Sequence, residues 1–234
     1  MRAHTRGHER DEVVARLAEH LARHRLPHPL RVAVDGPDAA GKTRLADDVA
    51  VALRRSRNVI RLGVDDFHRP EEVRRRRGSL SPEGYYLDAF DQDAVVGSVL
   101  GPLGPGGDGL YLPATYDLRS EEHVVAERRR ADDDAILLFD GVFLLRPQVR
   151  DHWDVTVYLH VEPEETLRRA LVRDVALFGS VATVEERYLA RYLPGQELYR
   201  AEARPSDRAD IVLDMGDPLR PVVVRWPSDG SRPS

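Results

Sequence analysis

Residues 36–43 read GPDAAGKT, a G-x-x-x-x-G-K-T spacing set between an apolar run, LRVAVD, and a helix-patterned stretch, TRLADDVAVALRRS. This arrangement leaves the chain little choice of local fold. A strand must run into a glycine-bearing turn whose backbone N–H groups point inward, and a helix must open at its end with its positive dipole terminus facing the turn. Such a loop is an anion site shaped for phosphate oxygens. It also holds Lys42, the single lysine in a chain with 35 lysine and arginine residues together. An ammonium is a compact point charge that reaches the β and γ phosphates where a planar guanidinium is too wide, so lysine at this one position indicates a geometric demand. Gly36, Asp38, Ala39, Ala40, Gly41, Lys42 and Thr43 form the expected nucleotide-binding set, and the Thr43 hydroxyl is offered to Mg²⁺.

Four further apolar runs follow the first: NVIRLGVDDF, AILLFDG, VTVYLHV and ADIVLD. Short, nearly continuous apolar runs are how strands covered on both faces read. Helical stretches, EPEETLRRALVRD and TVEERYLARYLPGQELYRAEA, lie between the later ones. The pattern predicts an α/β fold in three layers, a P-loop NTPase with a five-stranded parallel sheet and crossover helices. Ahead of it, Val13, Val14, Leu17 and Leu21 recur at helical spacing, with acids early and bases late, which predicts an amphipathic packing helix over about residues 9–25. Residues 68–134 are too long for a simple connection and form an insert, with four arginines at 74–77, a GPLGPGGDG spacer expected to be flexible, and a strand or hairpin arm, LYLPATYDL. The division expected is a packing helix over 1–28, a core domain over 29–216 and a tail over 217–234, where PVVVRW adds an edge strand before a disordered end.

Composition narrows the function. The formal net charge of -5 argues against nucleic acid as the main partner. No cysteine is present, so disulfides and thiolate metal sites are excluded. Nine histidines show no H-x-x-x-H pair with acid support, so zinc is not expected. The opening residues lack the apolar core of a secretory signal and no apolar run has membrane length, giving a cytoplasmic expectation with no membrane partner. Self-association is left open.

The succession GPDAAGKT, DDFH, AFD, YD, FDGVFLL, RRALVRD and RPSDRADIVLD, over residues 30–214, resembles the uridine kinase-like family of P-loop kinases, which includes uridine and cytidine kinases and related small-molecule kinases. The resemblance implies ATP and Mg²⁺ as cofactors, a helical lid, a substrate-binding insert and transfer of a phosphoryl group to a hydroxyl of a small-molecule acceptor, nucleoside-like in most of the family. It points to Asp65, rather than its neighbour Asp66, as the group that accepts the acceptor's proton and helps hold the metal. A carboxylate at a strand's C-terminal end faces the ligand crevice of an open sheet, in keeping with that role. Asp140 stands where the family carries a metal-directed acid. Arg169 and Arg173, four apart on one helix face, stand where it carries lid arginines that stabilise the transferring group. His68, Tyr86, Asp88, Phe90 and Tyr116 fall in the acceptor-binding elements. His68 replaces the family's usual tyrosine, and Glu121 stands where uridine–cytidine kinases carry a base-reading histidine. Those departures keep other acceptors in view, pantothenate-, ribosylnicotinamide- or sugar-phosphate-like, as well as a nucleotide-binding protein without acceptor chemistry. The arginine run at 74–77 reads either as a solvated face or as a site for an anionic acceptor.

Overall fold

The computed structural model describes residues 5–228. Its centre is a sheet of six strands: β1 (Leu30–Asp35), β2 (Val59–Gly63), β3 (Ile136–Gly141), β4 (Val155–His160), β5 (Ile211–Asp214) and β6 (Val222–Arg225). Their spatial order is β6-β5-β4-β1-β3-β2. The first five are parallel, and β6 returns antiparallel to β5. The expected parallel five are therefore joined by a sixth, reversed strand, the edge strand read in PVVVRW, which closes back through the short turn at Asp217–Arg220. The tail expected to be disordered, residues 229–234, lies outside the described residues.

Every residue of β1 and β3 is buried, as their uninterrupted apolar runs require, whereas β2 at the sheet's edge is half-buried. Side chains alternate across the sheet. Val32 and Val34 pack with Leu17 and Leu21 of α1 (Thr5–Arg23) and with Leu45 and Val49 of α2 (Lys42–Leu53). Ala33, Leu137 and Phe139 face the other layer, with Val99, Phe143 and Tyr199. Burying a side chain such as Phe139, which has no exposed surface, contributes about 2–3 kcal/mol. Helix α1 begins earlier than its apolar spacing suggests, so Glu9, Asp11 and Glu12 fall beyond its first turn, which carries no acid; the dipole match expected there is lost.

Strand β1 sits between β3 and β4, so the chain's connections diverge at its C-terminal tip and open a crevice there. The register puts Asp140 opposite Val34 and Gly63, aligning the tips of β1, β2 and β3. Above the crevice, α3 (Pro82–Asp88) comes from the insert, and α4 (Pro163–Arg173), α5 (Val181–Arg187) and α6 (Leu193–Ala203) follow β4. A single π turn over Tyr188–Tyr192 joins α5 to α6. Ala170, Val184 and Tyr188 form a small cluster of their own, joined to the larger sheet core through Tyr192.

The GPLGPGGDG spacer is packed at Leu103, which has no exposed surface, and at Gly104, where a Cβ would lie 2.5 Å from Arg31, while residues 105–108 are exposed. Of the strand or hairpin expected in LYLPATYDL, the structure has short antiparallel pairings: Leu110–Tyr111 pairs with Arg129–Arg130 and Tyr116–Asp117 pairs with Glu122–His123.

Candidate active site

The loop is shaped by three residues in unusual backbone. Gly36 lies so close to β4 that a Cβ would sit 2.7 Å from the Leu159 carbonyl oxygen, so no larger residue fits. Ala39 and Gly41 take φ of 56° and 87°, turning the chain so that α2 starts at Lys42. The N-cap of α2, Gly41, offers no side-chain cap, leaving first-turn N–H groups directed at the crevice. Behind the loop, fully buried Asp35 accepts from the Gly36 N–H at 2.8 Å and from the Tyr199 hydroxyl, which in turn accepts from the Leu145 N–H at 3.0 Å. Burial pushes the Asp35 carboxyl up to about 6, against the pull of these hydrogen bonds and of Lys42.

The crevice is a cavity of about 310 Å³ lined by Asp38, Lys42, Thr43, Asp65 and Asp140, with His68, Tyr85, Phe90, Arg173, Tyr188 and Tyr192 among its further walls. Lys42 Nζ donates to the Pro37 carbonyl at 2.7 Å. Thr43 Oγ1 donates to Asp140 Oδ2 at 2.6 Å, and Arg61 holds the other carboxylate oxygen at 2.7 Å. No group of three or more His, Cys, Asp or Glu side chains that could hold a metal occurs among the described residues. Two adjacent oxygen donors at Thr43 and Asp140 suit instead a small hard cation whose remaining ligands are phosphate oxygens and water, so the donor set fits Mg²⁺.

Asp65 and Asp66 occupy a tight helical turn, Val64–Phe67, directly after β2. Only Asp65 lines the cavity. Its carboxylate has solvent at its surface but enough protein around it that burial raises its pKa; His68 and Lys42 oppose the rise, and Asp140 and Asp38 add to it. His68 donates from Nδ1 to the Asp65 carbonyl at 2.8 Å and rests on the Phe90 ring, 4.5 Å between centroids. Burial lowers its pKa, favouring the neutral ring.

The two lid arginines separate. Arg173 lines the cavity, its guanidinium clamped by Asp174 at 2.6 and 2.9 Å, while the Tyr188 hydroxyl donates to the same carboxylate at 2.7 Å. Arg169 stands behind the loop, donating to the Ala39 carbonyl at 3.2 Å and to the Met215 and Gly216 carbonyls, and pairing with Glu165 at 2.7 Å. Its hydrogen bonds are spent on the scaffold, so the shared helix face did not translate into a shared target.

Of the acceptor-binding set, His68 and Phe90 reach the cavity, while Tyr86, Asp88 and Tyr116 do not. Asp88 is 1% exposed and bound by Arg76 at 2.5 Å and Arg77 at 2.8 Å, a buried ion pair and not a group open to a ligand. The Tyr86 hydroxyl goes to Glu202, and Tyr116 donates to Glu121 at 2.9 Å, which also receives Arg74. Arg75 pairs with Glu71. Each arginine of the 74–77 run therefore has a carboxylate partner, and the anionic-acceptor reading of the run falls away. The residues that sequence reasoning missed are Arg61, Tyr85, Tyr188 and Tyr192. The last two are four apart in YLARY, a spacing that puts them on one helix face without saying that this face turns to the cavity.

Among curated proteins, the chain is 28% identical over 191 residues to uridine-cytidine kinase B of Dictyostelium discoideum, covering 81% of this chain and 76% of that one. It is 26% identical over 204 residues to a uridine kinase of Lactobacillus helveticus, covering 82% and 89%. Among solved structures, a possible uridine kinase from Bacillus stearothermophilus superposes with a TM-score of 0.68 at 20% identity, covering 86% of this chain and 97% of that one, a likeness of fold. No family model matches the sequence. In sequence the chain is thus similar to uridine and uridine-cytidine kinases, and in fold to P-loop kinases.

Proposed function

We propose that the protein is an ATP- and Mg²⁺-dependent kinase that transfers the γ-phosphoryl group to a hydroxyl of a nucleoside-like small molecule. The observation that carries this reading is one cavity shared by Lys42 and Thr43 of the phosphate loop and by the strand-tip carboxylates Asp65 and Asp140. The loop and the α2 N-terminus would hold the triphosphate, with Lys42, now on the Pro37 carbonyl, reaching the β and γ oxygens. Thr43 and Asp140, with Asp65, would hold Mg²⁺, which when bound would supply neutralisation of charge on the phosphates.

Asp65 takes the proton of the acceptor hydroxyl as its oxygen bonds to the γ phosphorus in line, and the bond from that phosphorus to the β–γ bridging oxygen breaks, leaving ADP. A raised pKa suits a carboxylate that must accept a proton. Arg173, held by Asp174, balances charge on the transferring group. The Asp65→Asn variant tests the assignment: turnover on a panel of nucleosides should fall by about 10²–10⁴-fold while nucleotide affinity stays. An Asn variant as active as the parent would move the base elsewhere.

A further inference from the structure

We infer that Asp38 is a specificity-determining residue that grips a hydroxyl of the acceptor and confines the site to uncharged or cationic acceptors, excluding phosphorylated and carboxylate ones. This rests on the kinase reading and names the acceptor's charge class within it.

Asp38 is the third residue of the phosphate loop, where backbone amides, not side chains, serve a triphosphate. Its side chain turns away from that task. The Tyr85 hydroxyl donates to Oδ2 at 2.8 Å and the Gln196 amide reaches the same oxygen at 3.4 Å, so α3 of the insert and α6 beyond the lid converge on it. Oδ1 has no hydrogen-bond partner among the described residues, and Asp38 lines the cavity. A carboxylate aimed at the triphosphate would repel it, so the free oxygen belongs to the acceptor's side of the cavity. The charge is felt across that side, raising the pKa of Asp65, Tyr85, Tyr188 and Tyr192.

The balance of donors and acceptors makes the same point. Asp38 and Asp65 both present carboxylates to the cavity; Lys42 is given over to the triphosphate and Arg173 to the transferring group, and no further lysine or arginine among the described residues lines the cavity to serve an anionic acceptor. Arg173 is clamped by Asp174, Arg191 donates to the Ser79 and Ser81 carbonyls, and Arg74 is held by Glu121. A hydroxyl or ammonium of the acceptor supplies the donor that Oδ1 lacks, through a charge-assisted hydrogen bond. A phosphate or carboxylate there would meet two like charges without a counter-ion, a cost the site has no group to offset.

The test measures binding of neutral nucleosides and sugars, and of their monophosphates and carboxylate analogues, by calorimetry to the full chain and to Asp38→Asn, with affinity for a fluorescent ATP analogue as a separate readout. The expected result is a neutral acceptor weakened about tenfold or more in Asp38→Asn, ATP affinity retained or tightened, and anionic counterparts bound worse than the neutral ones by the parent. Tyr85→Phe, which removes one donor to Asp38, should shift acceptor affinity and leave ATP affinity alone. An anionic acceptor bound and phosphorylated by the parent as well as its neutral counterpart overturns the inference and leaves the kinase reading standing. Loss of ATP affinity alone in Asp38→Asn overturns it as well, assigning Asp38 to loop shape. ATP binding with no acceptor bound or turned over defeats both.

Discussion

Thr43 Oγ1 and Asp140 Oδ2 lie 2.6 Å apart, which ties the first turn of α2 to the tip of β3 and brings two metal-suited oxygens together from residues 97 apart in sequence. Arg61 pins the opposite oxygen of Asp140 and reaches Asp47 at 2.9 Å, so the carboxylate is fixed from both sides. Thr43→Val keeps the shape and removes the hydroxyl. It should lower kcat/KM by about 10²-fold, with partial recovery as Mg²⁺ is raised, measured by steady-state kinetics across a Mg²⁺ series.

Lys42→Ala should cost about 10²–10³-fold in turnover, and Lys42→Arg should fare little better, because a guanidinium cannot occupy a point-charge site. Both should melt within a few degrees of the parent, since among the described residues the side chain makes a single hydrogen bond, to the Pro37 carbonyl. Activity assays beside thermal melts check this, and an active Arg variant would remove the geometric reason for a solitary lysine.

The two lid arginines should separate in kinetics as they do in space. Arg173→Gln should depress kcat by about 10²-fold with ATP affinity little changed, as loss of a charge that acts on the transferring group does. Arg169→Gln should weaken ATP affinity and lower Tm, because it releases the Ala39, Met215 and Gly216 carbonyls behind the loop. Equal kinetic effects from both would place them in one role.

Asp35 gives a pH dependence of stability. Its carboxyl has a value near 3.8 when unfolded and about 6 when folded, so across that window the native state holds a proton that the unfolded chain has released. Stability from this group is therefore greatest below the unfolded value, falls as pH rises from about 4 to about 6, and stays lower above, by at most about 3 kcal/mol. Asp35→Asn mimics the protonated form, donating toward Tyr199 while accepting from Gly36. Subtracting its unfolding free energy from that of the parent across pH 3–8 should reveal the slope, and a flat difference would mean that Asp35 titrates alike in both states.

How much of this was legible in the sequence follows from the range over which each feature is encoded. The phosphate loop is local: glycine spacing, a strand before and a helix after it suffice, and Gly36, Lys42 and Thr43 stand as the motif requires. The buried strands were legible because both faces are covered. Asp88 was misread because its partners, Arg76 and Arg77, come round through a turn that no periodicity announces. Arg169 was misread because shared helix spacing fixes a face, while the target depends on what folds against it. Tyr188 and Tyr192 were invisible as cavity residues, since their spacing fixes a shared helix face but not what that face packs against.

The position of Lys42 also makes the protein its own reporter. Because no other side chain in the chain carries a primary amine, an acylating reagent has one internal target, and that target lies in the pocket. Once the α-amino terminus is accounted for, the stoichiometry of labelling becomes a count of accessible phosphate loops, and protection from labelling a titration of whatever binds there.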